Sequence, residues 1–144
     1  MKKCLMTLIV LVMTCVSAAC FASYGTDLDT EAQYVDRFMA GKNYAKVAAF
    51  MDPQLAKNLT GEQYGSLFTK MNAELGKMVK KDLRAYELFD ERHILHYALG
   101  FEKAPAMALD VAFKRAGGKI TMLDLRILNL GTNTAETATQ GKEK

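Results

Sequence analysis

Asp110, Asp124 and Arg126 are the polar residues best placed to do chemistry, and His93 and His96 are the only imidazoles in the chain. A carboxylate aimed into an apolar cavity could transfer a proton to or from a bound molecule. The histidines offer less. Three residues apart on a strand they point to opposite faces, so they cannot ligate one metal. All three cysteines, Cys4, Cys15 and Cys20, precede the folded part, which removes thiolate zinc sites and cysteine nucleophiles. There is no Ser, His and acid set in recognisable context, no nucleophile elbow and no phosphate-binding glycine loop. His96 reads as a partly exposed sheet residue rather than a base. Lys77, Lys80, Lys81 and Arg84 read as solvated charge on an edge strand. No metal and no cofactor is expected.

The role of the acids depends on the strands that carry them. Leu95, Tyr97, Leu99 and Phe101 alternate with period two, as do Met107, Leu109, Val111 and Phe113, and then Leu123, Leu125 and Ile127. Lys103-Ala104-Pro105 and Ala116-Gly117-Gly118 separate the runs, which predicts an antiparallel meander with one buried face. A three-residue loop over Ala116 to Gly118 pairs Arg115 with Lys119, Val111 with Leu123 and Leu109 with Leu125. Asp110 and Asp124 then share the outer face, with Arg126 diagonal to Asp110. A two-residue Gly117-Gly118 loop slips the register by one and turns Asp124 and Arg126 inward. The first register buries more apolar surface and no unpaired charge, so it is the expected one. Its outer face carries Ala98, Gly100, Ala106, Ala108, Ala112, Ile120 and Met122.

The start of the chain has a different character. Lys2 and Lys3 precede a mostly apolar run from Leu5 to Val16, followed by Ser17, Ala18 and Ala19 and then Cys20-Phe21-Ala22. This predicts an export signal over residues 1–22. Cleavage after a small residue would release the domain, whereas cleavage before Cys20 would leave that cysteine for lipidation. The membrane is expected to be met only through the signal or such a lipid. Without Lys2 and Lys3, the 19 basic residues fall to 17 against 16 acidic ones, a net charge of +1. That does not favour nucleic acid as a partner.

Residues 23–129 are expected to form one domain, and 130–144 a disordered polar tail. Ser23 to Asp29 reads as a polar lead, with a helix starting at Thr30, capped with Gln33 and stopped by Gly41. Asn43 can cap a second helix through Tyr44, Val47 and Met51. Asp52-Pro53 opens a third turn carrying Leu55 and Leu59. Thr60 and Gln63 form a capping box before Tyr64, Leu67, Phe68, Met71 and Leu75, and Gly76 ends that helix. A strand is expected from Leu83 to Phe89, with a turn at Asp90-Glu91. Helices first and strands after imply an α+β fold, with N-terminal helices packed on an antiparallel sheet.

Gly41-Lys42-Asn43-Tyr44, leading to Met51-Asp52, resembles the early segment of the nuclear-transport-factor-2-like superfamily. Leu59 to Tyr64, Glu74-Leu75-Gly76-Lys77, Phe101-Glu102-Lys103 and Gly118-Lys119-Ile120 resemble a small exported bacterial branch of it with no assigned function. The resemblance covers about Glu31 to Asn129. It implies a cone-shaped, cystatin-like curved sheet wrapped on helices, often with a pocket and often dimeric. Tyr34, Tyr64, Tyr97 and Phe101 would then line a ligand pocket. The face of Ala98, Gly100, Ala106, Ala108, Ala112 and Met122 would meet a second copy. Three functions follow as expectations. The first is a non-catalytic exported domain binding a small apolar ligand or a partner protein. The second is a cavity enzyme of isomerase or dehydratase type using an inward acid, and the third a sheet-mediated homodimeric assembly module.

Overall fold

Helical spacing of apolar residues gives way to alternation near Met78, and the fold changes class there. The computed structural model describes residues 25–130. In it helices precede a four-stranded antiparallel sheet, so the fold is α+β. The expected signal at 1–22, with Cys20, lies outside the described residues, as does all of the expected tail at 130–144 except Leu130, whose N–H donates to the Ala106 carbonyl. Among the described residues no helix is long and apolar enough to cross a membrane.

The chain divides into two compact units, residues 1–33 and 34–144. Among the described residues the first unit holds only the start of helix α1 (residues 25–39), which is already running at residue 25, where a polar lead was expected. Thr30 does not cap it. Its hydroxyl donates to the Thr26 carbonyl at 2.8 Å, so the side chain is satisfied inside the helix by the turn before it. Asp27 and Glu31, four residues apart and both buried, lie along one side of this segment.

In the second unit three short helices follow, α2 (Tyr44–Ala48), α3 (Pro53–Asn58) and α4 (Gly61–Leu75). Asn43 precedes α2 in the left-handed conformation, φ 57°, and its side chain makes no capping bond. Asp52 does cap α3, accepting from the Gln54 N–H at 2.9 Å with Pro53 in the first turn. Thr60 and Gln63 form the full reciprocal box at α4, satisfying two N–H groups that a helix start leaves bare. Tyr34 stacks on Phe50 with ring centroids 4.2 Å apart, and Phe38 meets Tyr64 edge-on at 5.3 Å.

The sheet runs β1 (Met78–Phe89), β2 (Arg92–Phe101), β3 (Met107–Ala116) and β4 (Lys119–Asn129) in spatial order 1-2-3-4. β1 starts at Met78, earlier than Leu83, because bulges at Val79 and Arg84 break its alternation. Leu95, Leu99, Leu109, Val111, Phe113 and Met122 are all buried on the helix-covered face. Each such side chain contributes about 1.5–3 kcal/mol relative to exposure.

The β3–β4 register corrects the expectation and explains it. The turn uses Gly117 and Gly118 alone, at φ 57° and 75°, and Ala116 pairs with Lys119. Positive φ at both centres suits the twist of a two-residue hairpin. This slips the strand by one residue, as the disfavoured loop would. A bulge then slips it by one more, leaving Leu123 between the pairs Phe113–Met122 and Ala112–Asp124. Two slips restore the phase. Val111 faces Leu125 rather than Leu123, and Asp110 faces Arg126 directly rather than diagonally. Before the bulge the phase is reversed, so Ile120 and Met122, expected outside, are buried on the helix side.

Candidate functional site

Two tyrosine hydroxyls and one backbone bridge frame a hollow beneath β4. The Tyr44 hydroxyl donates to the Leu59 carbonyl at 2.5 Å, fixing the end of α3 against α2. Met122 donates its N–H to the Phe50 carbonyl at 2.7 Å and accepts from the Asp52 N–H at 2.8 Å. That joins the start of α3 to β4. The Tyr64 hydroxyl donates to the Phe38 carbonyl at 2.7 Å, which ties α4 to the end of α1. Between these anchors lies a space of about 340 Å³ lined by Phe38, Leu55, Asn58, Leu59, Leu67, Leu125 and Ile127. The bulge at Leu123 decides its character. Had β4 kept the register of its turn with Leu123 paired instead of bulged, Asp124 and Arg126 would occupy the inward positions that Leu125 and Ile127 hold.

The expected pocket residues lie elsewhere. Tyr34 packs on Phe50 and Phe113, and Tyr64 on Phe38, Tyr44 and Phe68. Tyr97 and Phe101 are buried in β2, with the Lys81 ammonium 5.1 Å from the Tyr97 ring centre. None of the four lines this hollow. Burial pushes the Tyr64 hydroxyl above its ordinary value of 10.0, against backbone hydrogen bonds from Gly41 and Lys42 that lower it.

Asp110, Asp124 and Arg126 share the outer face of the sheet. There they meet His96, expected as a partly exposed sheet residue and found about one-third exposed. Asp110 Oδ1 is 2.7 Å from His96 Nδ1, and Glu87 Oε1 is 3.3 Å from Nε2 of the same ring. Arg126 Nε donates to Asp124 Oδ2 at 3.1 Å. A shallow depression of about 160 Å³ sits over this row, with Ile94 and Ala112 among its lining. Each carboxylate addresses a different ring nitrogen, so they do not converge on a point where a metal could sit. Among the described residues no group of three His, Cys, Asp or Glu side chains could hold one. A carboxylate behind an imidazole orients a general base in many hydrolases. Here the second nitrogen lies 3.3 Å from Glu87 Oε1 and makes no hydrogen bond, so it faces a carboxylate rather than a nucleophilic side chain. The two-residue Asp90-Glu91 turn could have placed Glu87 near His96 from sequence, since it pairs Phe89 with Arg92 and Glu87 with Ile94. The irregular loop before Met107 hid the Asp110 partnership.

Ala98, Gly100, Ala108 and Ala112 lie on the same outer face, whereas Ala106 precedes β3 and Met122 faces the helices. A side chain at Gly100 would come within 3.1 Å of Lys80 Cβ, which keeps that position small. His93 is 1% exposed on the helix-covered side, and the Tyr86 hydroxyl lies 3.1 Å from its Nδ1. The two histidines therefore face opposite ways. No family model matches the chain, and neither the curated proteins nor the solved structures contain a significant match.

Proposed function

We propose that the chain is an exported, non-catalytic binding domain that takes a small apolar ligand in the hollow beneath β4. The supporting observation is the lining of that hollow, six apolar side chains and one amide, Asn58. Ligand sites have this make-up, apolar walls with few polar groups that fix orientation. Asn58 offers a donor and an acceptor for a polar end. The acids of the outer row lie across the sheet from the hollow, so a bound molecule would meet no carboxylate from Asp110 or Asp124. Export is the reading of the basic, apolar and small-residue start at 1–22, with release or a lipid on Cys20 as its two ends. Kinship with the nuclear-transport-factor-2-like superfamily, and its cone shape, is part of the same proposal. It is supported by the order of helices before an antiparallel meander and by a hollow on the helix side.

The test uses the fluorophore N-phenyl-1-naphthylamine with protein purified from its own host. Saturable one-site enhancement is expected, with loss of it in Leu67→Trp, which fills the hollow, and retention in His96→Ala on the other face. Native mass spectrometry of the same preparation should show a mass increment that Leu67→Trp lacks. Fluorophore binding that Leu67→Trp leaves unchanged would sink the proposal.

A further inference from the structure

β1 is an edge strand, and among the described residues no backbone hydrogen bond crosses its outer side. Such an edge presents a row of N–H and C=O groups ready to pair with another strand. Proteins that keep an edge solitary make it short and polar. β1 spans Met78–Phe89 and leaves large apolar side chains in water, with Val79 67%, Leu88 45% and Phe89 54% exposed.

We infer that β1 pairs antiparallel with β1 of a second copy, making one continuous sheet across the two chains. The pattern of the strand is complementary to itself about its centre, between Leu83 and Arg84. In that register Lys80 of each copy lies opposite Glu87 of the other, and Asp82 opposite Ala85. The bulge at Arg84 makes this register geometrically consistent. In a regular strand, residues an odd number of positions apart lie on opposite faces, so Lys80 and Glu87 could not meet across the two-fold axis. The extra residue shifts the phase between them. Lys80 pairs with Gly100 and Glu87 with Ile94, both outward positions on β2. Lys81 and Tyr86, opposite Leu99 and Leu95, share the helix side in the same way. Registers that place Leu83 on Leu83 lose this agreement, since Lys81 would then meet the outward Ala85. The present contacts of the two charges are Lys80 with Asp82 at 3.2 Å and Glu87 with His96 at 3.3 Å. Both involve exposed or half-exposed groups, whose pairs are worth little and rearrange readily. The two-fold contact uses the same patch on both chains and closes on itself.

Sedimentation velocity of the full chain over a range of concentrations tests this. A dimer is expected. Lys80→Glu and Glu87→Lys each set two like charges opposite one another, and each should weaken the dimer about tenfold. The double variant Lys80→Glu/Glu87→Lys restores opposite charges and should recover the wild-type constant, which also shows that the single variants fold. Hydrogen exchange supplies a readout without substitution, with β1 amides slowing as concentration rises. A wild-type chain that stays monomeric overturns the inference and leaves the edge to an extended segment of another protein. A dimer indifferent to the single reversals, or a double variant that does not recover, overturns it too and moves the contact to the outer sheet face.

Discussion

Asp110 Oδ1 stands 2.7 Å from Nδ1 of its cross-strand neighbour His96. The contact sits on the water-facing side of the sheet, with both side chains about one-third exposed, 32% and 34%. A pair so exposed contributes roughly 0–1 kcal/mol. Asp110→Asn should therefore move the urea midpoint by less than about 1 kcal/mol equivalent at pH 7. It should leave fluorophore binding in the hollow unchanged. A larger loss of stability would mean that the row organises the sheet.

The bulge at Leu123 makes an unusual forecast for deletions. Removing Leu123 joins Met122 directly to Asp124 and leaves a regular strand with every later residue on its present face. The cost should be the half-buried leucine, about 1–2 kcal/mol. Removing Arg126 instead reverses the phase of Ile127 and should cost at least about 2 kcal/mol more. Denaturant midpoints of the two deletions decide the matter. Equal destabilisation would show that the bulge does not set the phase.

Gly41 and Gly117 separate backbone strain from crowding. Both have positive φ, 65° and 57°. A Cβ at Gly41 would lie 2.8 Å from Phe68 Cγ, whereas one at Gly117 meets nothing within 4 Å. Gly117→Ala should cost only the left-handed conformation, about 1–2 kcal/mol. Gly41→Ala should cost that plus displacement of a core ring, about 2–4 kcal/mol in all. Thermal or denaturant unfolding of the pair checks the difference.

Tyr64 gives the fold an alkaline limit. Desolvation by burial favours its neutral form in the folded state and raises its value above 10.0. Stability from this group is thus fully present below the unfolded value and is lost as pH rises through the folded one. The melting temperature should fall above about pH 10, and more steeply than in Tyr64→Phe. At neutral pH the same variant should lose about 1 kcal/mol, because the Phe38 carbonyl loses one of two donors and keeps the Gly41 N–H. Parallel pH profiles for the two proteins would rule out this role for Tyr64.

Much of the fold was legible because local chemistry agreed with it. Asp52-Pro53, the Thr60–Gln63 box, Gly41 and Gly76 each mark a boundary by a bond or a φ that few residues can supply. The meander was legible from alternation in β2 and β3, where no bulge interrupts their mutual pairing. β1 was only half visible because Val79 and Arg84 disturb its period. The first helix begins before Thr30, which sequence does not reveal because Thr30 has the same side chain whether it caps a helix or bonds back inside one. The hollow was missed for a related reason. Aromatic residues suggested its lining, yet the rings pack on one another, while leucines from α3, α4 and β4 leave the space. Bulge positions depend on tertiary pairing, here the hold of Phe50 and Asp52 on Met122, and no local motif announces them.

That hold has a consequence for growth beyond two chains. The segment around Met51 lies parallel along β4 at Met122, so the molecule covers part of one sheet edge with its own backbone, while among the described residues the β1 edge has no backbone partner. A filament built by strand addition requires two mutually compatible edges on every unit. Among the described residues the Met122 stretch of β4 is already paired, so a two-fold pairing at β1 would close on itself and find no matching partner at that stretch.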